Sequence, residues 1–433
     1  MPEVRTEIHQ HGLNVEPESD GQAEAWTSPA GVTGPEFVTH VHDLPNRQPR
    51  MTGTYHDHTL GISRLNNYAG LHGFYVIEGP REDQLGLPTG EYDVPIMLAD
   101  KTFESDGSLH YPDEFTANFA GDTAFVNGAV WPYLEVEPRR YRFRLVNQSN
   151  GRTFALSLSN DDGHDAPAMY QFAPDQGYLG DVVPVGHGGD LESLTIAPFE
   201  RAEVVVDFSQ YAGETFTVTN EAGFPYSGGH GGGHGGDGPD LSEIMQIRVS
   251  DDDVTDDSTH PSELSLPNDP GYDPDDAERP RHMTLGMRDD AEPPTHVLNG
   301  KTFHDGGDHA RPRKGATEVW EFENETMHSH PIHMHLIEFR VIGRGEDGTA
   351  DPAPNERGPK DVVRVDPGET VRVVTKFGDF TGTYPWHCHV LEHEEQGMMR
   401  PFEVVDGDSA SDGQGSGGNG TADASTESGN ADR

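Results

Sequence analysis

The chain has 433 residues, enough for two or three domains, and carries 76 acidic against 29 basic side chains for a net charge of -47. Phosphate is repelled by such a chain, which argues against nucleic acid and against anionic membranes as partners, and no run of 18 apolar residues offers a membrane span. Its single cysteine excludes an internal disulfide, so cysteine usage does not report the redox compartment. Lysine occurs only at Lys101, Lys301, Lys314, Lys360 and Lys376. Acid spread evenly along the chain with so little lysine reads as a halophilic protein, kept soluble where salt screens charge repulsion.

In chain order, the first signal is His9-Gln10-His11-Gly12. Side chains two apart in a strand emerge on one face, so such a pair can serve adjacent metals. His40-Val41-His42 has the same spacing but reads as a surface loop ahead of Pro45. The next pair is His56-Asp57-His58, introduced by Gly53-Thr54-Tyr55. Beyond it, Tyr141, Phe143 and Leu145 alternate with Arg140, Arg142 and Arg144, the pattern of a half-buried strand. Val204–Phe208, Thr215–Val218 and Val371–Val374 are further short β-branched runs, with 52 glycines and 33 prolines to supply turns. Many short strands between turn signals predict β-sandwiches.

Val126-Asn127-Gly128 and Val297-Leu298-Asn299-Gly300 look like repeated openings of a second and a third domain. The loop Ser227–Gly236, with His230 and His234 among glycines, reads as a flexible linker, with auxiliary metal capture as the alternative. The expected division is 1–85, 86–250, an acidic linker 251–280, a third domain 281–406, and a Gly/Ser-rich acidic tail 407–433 too poor in apolar residues to order itself.

The third domain carries the densest chemistry. His330-Pro331-Ile332-His333-Met334-His335 adds three imidazoles, and Trp386-His387-Cys388-His389 leads to His393 and Met398. Two His, one Cys and a weak axial Met are the ligands of a blue copper site. In an extended segment, neighbours point to opposite faces. His387 and His389 therefore face a second metal site, joined to that of Cys388 through a few covalent bonds. Electrons entering at one copper would leave at the other.

These motifs resemble those of the multicopper oxidases, in particular the bacterial spore-coat laccase and bilirubin oxidase type. Ser19-Asp20-Gly21, Arg64–Leu71, Glu91–Pro95, Val126–Pro138 and Met398-Met399-Arg400-Pro401 extend the likeness over most of residues 1 to 405. The resemblance implies an all-β fold of three cupredoxin-type Greek-key β-sandwich domains, the first N-terminally truncated, since Met1 lies only eight residues before His9. It implies four coppers. The type 1 ion falls to His330, Cys388, His393 and Met398, and the type 2 ion to His9 and His333. One type 3 ion falls to His11, His56 and His389, the other to His58, His335 and His387. Asp20 and Glu394 match acidic positions of the family and read as proton relays, with orientation of a ligand histidine as the alternative, while Met327 and Met399 read as packing residues. His335 is followed by Leu336 where many relatives have glycine.

The expected activity is a laccase-like oxidation of phenols, aromatic amines and bilirubin coupled to reduction of dioxygen to water, with His393 at the electron entry. Cu(I) is the alternative reductant, disfavoured because the 11 methionines form no Met-rich segment. A copper-binding or electron-transfer protein without oxygen chemistry is the reading from a different class. An extracellular or cell-surface location is expected, with any export signal lying ahead of Met1.

The charge balance makes a direct prediction. The screening length is ~3 Å in molar salt and ~10 Å at 0.1 M, so self-repulsion grows as salt is withdrawn. Thermal unfolding followed from 0.1 M to multimolar potassium chloride is expected to show a midpoint that rises with salt. A midpoint that does not move would refute the halophilic reading.

Overall fold

A computed structural model of the protein describes residues 4–160, 166–228, 238–267, 269 and 271–407. Among the described residues the architecture is predominantly β-sheet, with α-helix confined to the short segments Ser63–Tyr68 and Leu391–Glu395. Ile8–His11, Met51–Asp57 and His72–Ile77 form an antiparallel three-stranded sheet in that order. Its register sets His9 opposite His56. Directly opposed residues share a face, so the two histidine motifs emerge together.

The next unit pairs a seven-stranded with a five-stranded sheet. The seven-stranded sheet is centred on Arg140–Asn147, which lies between Arg201–Asp207 and a parallel Asp93–Lys101. Phe143, Val204, Phe216 and Ile247 meet in the core between the sheets. The alternating arginines of Arg140–Asn147 face the other way. There Glu203, fully buried, accepts from Arg142 Nε at 2.8 Å and Thr52 Oγ1 at 2.6 Å and pairs with Arg50. Thr52 and Arg50 come from or adjoin the first sheet, so this cluster ties the first unit to the second.

The last unit pairs a five-stranded with a four-stranded sheet, the latter in the order Val362–Val365, His330–Met334, Gly382–Cys388, Met399–Val404. Ile332 opposes Cys388 and His333 opposes His387. Ile332 and Cys388 consequently point into the sandwich core with Trp320, Phe322, Trp386 and Met398. The histidines on either side of Cys388 point out of that core, toward the first sheet.

The two Asn-Gly openings are one device used twice. Asn127 and Gly128 have φ of 49° and 85°, and Asn299 and Gly300 have 52° and 70°. Positive φ at two successive residues is the requirement of a tight hairpin turn that Asn-Gly meets readily. Each Asn Oδ1 also accepts a backbone N–H at 2.8 Å, from Met97 and Thr284 respectively.

The acidic segment 251–280 is held against its neighbours. Asp256 accepts from Arg140 Nε at 2.7 Å, Asp269 pairs with Arg340 at 2.6 Å, and Glu278 N–H donates to Thr317 O at 2.9 Å. His40-Val41-His42 lies in a loop outside any strand, with His40 exposed. His230 and His234, and the tail beyond Gly407, lie outside the described residues.

Candidate metal centre

The ten motif histidines gather in two buried clusters, none more than 1 % exposed. Burial pushes His11, His56, His58, His330, His333, His335, His389 and His393 well below the ordinary imidazole range, and His9 to about 3. Neutral imidazole is the metal-binding form.

In the larger cluster, hydrogen bonds outside the cage fix which nitrogen faces inward. His9 Nδ1–H donates to Asp20 O at 2.5 Å, and His333 Nδ1–H to Asp361 O at 2.8 Å. His335 Nδ1–H donates to Asp20 Oδ2 at 2.8 Å, and His11 Nε2–H to Asp361 Oδ1 at 2.9 Å. His56 and His387 donate from Nδ1 to the carbonyls of Asp57 and Cys388 at 3.0 and 3.1 Å. Six inner nitrogens are therefore lone pairs. His11 Nδ1 nonetheless lies 3.4 Å from His56 Nε2, and His335 Nε2 lies 3.2 Å from His387 Nε2. Lone pairs that face each other repel unless a cation lies between them. Two imidazoles bound at about 2.0 Å to one ion leave their nitrogens about 3.3–3.5 Å apart. His389 Nε2 lies 3.2 Å from His11 Nδ1, and His58 Nε2 lies 3.3 Å from His387 Nε2, which extends each pair to a triad. His9 Nε2 and His333 Nε2 have no partner.

Ring planes separate these groups. An imidazole lone pair lies in its ring plane, so two closely stacked rings cannot direct theirs at one ion. His9 stacks on His335 at 3.8 Å and 28°, and His11 on His333 at 3.8 Å and 14°. Each stacked pair is held by a single aspartate, Asp20 or Asp361, through its carbonyl and its carboxylate together. Within the triads the rings are tilted or T-shaped, at 32° to 75°. The stacking thus argues against the grouping of His9, His333 and His335 around one ion, although their nitrogens lie within 4.8 Å of one another.

The smaller cluster is in the core of the third unit. Cys388 Sγ lies 3.4 Å from His330 Nδ1 and 3.6 Å from His393 Nδ1, and the two nitrogens are 3.2 Å apart. His330 Nε2–H donates to Thr326 Oγ1 at 2.7 Å, so Nδ1 is the free lone pair. Burial pushes the Cys388 thiol up, a cost that a bound cation removes, since a coordinating thiol is deprotonated outright. Met398 is fully buried, and its backbone links the set, accepting from Cys388 N–H at 3.1 Å and donating to His393 O at 3.0 Å.

Asp20 is buried, with Oδ1 unpartnered. Glu394 accepts from Ser63 Oγ at 3.2 Å, while its Oε2 lies 3.3 Å from His387 Nδ1. Met399 is buried as expected; Met327 is 78 % exposed and does not pack, because it lies in the turn ahead of the strand His330–Met334. Leu336 adopts φ of 73°, where a side chain costs about 1–2 kcal/mol.

Asp361, Arg201, Thr326 and His296 have no motif around them in the sequence. Arg201 donates to both Asp361 oxygens at 2.5 Å, across 160 positions of chain, and only the fold brings them together.

A family profile described as "Multicopper oxidase" matches residues 273–408. The chain is 55 % identical to a laccase of Haloferax volcanii, covering 93 % of this chain and 68 % of that one. It is 40 % identical to a laccase of Bacillus subtilis, covering 94 % and 80 %. The chain belongs to the multicopper oxidases.

A bilirubin oxidase of Albifimbria verrucaria is 35 % identical over 93 % of this chain and 68 % of its own. Among solved structures, the McoA multicopper oxidase of Aquifex aeolicus superposes with a TM-score of 0.77 at 29 % identity, covering 93 % and 84 %. This multicopper oxidase is a laccase-like oxidoreductase of cupredoxin-type domains, using oxygen and four coppers: one type 1, one type 2 and two type 3. Among the described residues no helix is long and apolar enough to cross a membrane.

The donor set fits these ions, and Asp361 is the test that the sequence did not offer. Asp361→Asn weakens the hold on His11 and removes the nearer of the two buried carboxylates that pair with Arg201, leaving Asp175 at 3.7 Å. Loss of such an outer partner typically lowers metal affinity 10–100-fold. Copper per chain after dialysis against a chelator is expected to fall below four, with the Cys388-dependent blue band intact. Four coppers retained at the unsubstituted affinity would show that Asp361 does not support the cluster.

Proposed function

We propose that this multicopper oxidase takes single electrons from phenols, aromatic amines and bilirubin, and returns four of them to dioxygen to form two waters. His330, Cys388, His393 and Met398 hold the type 1 ion, and His9 and His333 the type 2 ion. His11, His56 and His389 hold one type 3 ion; His58, His335 and His387 hold the other. The observation that carries this reading is the pair of facing lone-pair contacts, His11 with His56 and His335 with His387, beside a Cys388 cluster on the same strand. Copper supplies the one-electron chemistry at one cluster and the accumulation of electrons at the other.

The chain's own part is connection and proton supply. The backbone from Cys388 to His387 and His389 is the covalent route between the clusters, with the His387 Nδ1–H bond to Cys388 O, 3.1 Å, alongside it. Asp20, whose buried Oδ1 has no hydrogen-bond partner, relays protons toward the dioxygen reduced at the larger cluster. Glu394 does so near His387 and His389, and Ser63 Oγ links it to Glu395 Oε2 at 3.3 Å. Dioxygen and small aromatic reductants are the partners. The division at residues 85, 250, 280 and 406 into three domains, a linker and a tail is part of the same reading. So are an extracellular or cell-surface location and a halophilic character, the latter favoured by the acidity and by the likeness to a Haloferax protein.

Cys388→Ser tests the core of the proposal. It is expected to lose the blue absorption and all phenol-dependent oxygen uptake while keeping three coppers per chain; retained blue colour would refute the type 1 assignment. Asp20→Asn and Glu394→Gln are expected to keep four coppers and fast reduction of the blue band, yet to reoxidise slowly in air, by about 10²-fold for loss of a general acid. Reoxidation at the normal rate would make that carboxylate structural.

A further inference from the structure

His296, on the strand Thr295–Leu298, belongs to none of the copper motifs and is 1 % exposed beside the Cys388 cluster. Its ring stacks on His393 at 3.7 Å and 21°, and meets His330 edge-on at 5.7 Å and 67°. The stacked planes prevent His296 from sharing an ion with His393, by the argument applied to the larger cluster, although the three imidazoles are close enough to look like a metal site.

Its polar atoms explain how it is held. His296 Nδ1–H donates to Gln396 Oε1 at 3.0 Å, and the His296 backbone N–H reaches the same oxygen at 3.3 Å. Gln396 Nε2 donates in turn to Pro294 O at 3.5 Å. Gln396 lies between His393 and Met398, at the C-terminal end of the helix Leu391–Glu395 that carries His393. A second clamp, Phe303 N–H to Gly397 O at 2.9 Å, grips the next residue. His296 Nε2 is buried without a partner, so beyond the Nδ1–H bond to Gln396 the ring contributes a face to its surroundings.

We propose that His296 is a positioning residue of the type 1 centre, which fixes the plane of His393 by stacking and lowers the reduction potential of the ion that His393 holds. This rests on the ligand assignment proposed above. The physical reason is the sign of an aromatic face. Ring faces are electron-rich and attract positive charge. An imidazole bound to the cupric ion is more electron-poor than one bound to the cuprous ion, so the stack favours the oxidised state. The tie to Gln396 keeps the face in register while the copper changes charge.

The experiment compares the unsubstituted protein with His296→Leu, which removes both face and donor, and His296→Phe, which keeps the face. The readouts are copper per chain, the blue band, its electron-spin resonance, and the type 1 potential from titration of that band against a one-electron mediator. His296→Leu is expected to load four coppers and shift the mediator equilibrium toward the reduced ion about tenfold, or about 59 mV. His296→Phe is expected to shift it far less. A blue, fully loaded His296→Leu protein with an unchanged or lower potential would overturn the proposal, as would a Phe variant that shifts as far as Leu. Should Leu fail to load, the Phe variant decides: a potential near that of the unsubstituted protein supports the role, and a tenfold shift overturns it. Absence of the blue band from the unsubstituted protein would instead sink the ligand assignment.

Discussion

Imidazole lone pairs facing one another across 3.2–3.4 Å in the buried interior are the constraint on which this structure turns. Buried polar atoms normally find a hydrogen-bond partner, and here the nearest partner is another acceptor. A cation between them converts the repulsion into ligation. Everything around the cage serves to hold that arrangement. Main-chain carbonyls and two aspartates take up the outer N–H groups of six of the eight histidines, so those six inner nitrogens are left free. Asp361 is in turn held by Arg201 from the second unit. A site assembled from four stretches of chain thus depends on side chains from a unit that contributes no ligand.

Strand alternation does the rest. Because residues along Gly382–Cys388 alternate in direction, Cys388 enters the apolar core of its own sandwich while His387 points out toward the first sheet. One strand therefore borders both histidine clusters. They are chemically distinct: sulfur and two imidazoles among Trp320, Phe322 and Trp386 on one side, imidazoles backed by carboxylates on the other. Stacking divides the larger cage further. Each of Asp20 and Asp361 grips one stacked pair, and the members of a stacked pair must serve different ions. The same geometry recurs where His296 lies on His393, outside the cage.

Much of this was legible in the sequence because the period of a strand is short. His-x-His motifs announce a shared face whatever the surrounding fold, and Cys388 between two histidines announces two faces. Alternation at Arg140–Leu145 was likewise a local signal, and the strand Arg140–Asn147 lies where the pattern placed it. What spacing alone left open was which imidazole serves which ion, because that depends on ring planes and on the outer hydrogen bonds. Asp361, Arg201, Thr326 and His296 were silent for the same reason: their partners lie in other strands and units. Met327 was misread as a packing residue because hydropathy does not distinguish a methionine in a turn from one in a core.

Location of the metal ions themselves tests the account most directly. A crystal of the copper-loaded protein, with anomalous differences collected at the copper edge, is predicted to show four peaks. One should lie among Cys388, His330 and His393, one between His9 and His333, and one inside each of the two triads, His11 with His56 and His389, and His58 with His335 and His387. An ion shared by a stacked pair, His9 with His335 or His11 with His333, or a triad without a peak in fully loaded protein, would contradict it.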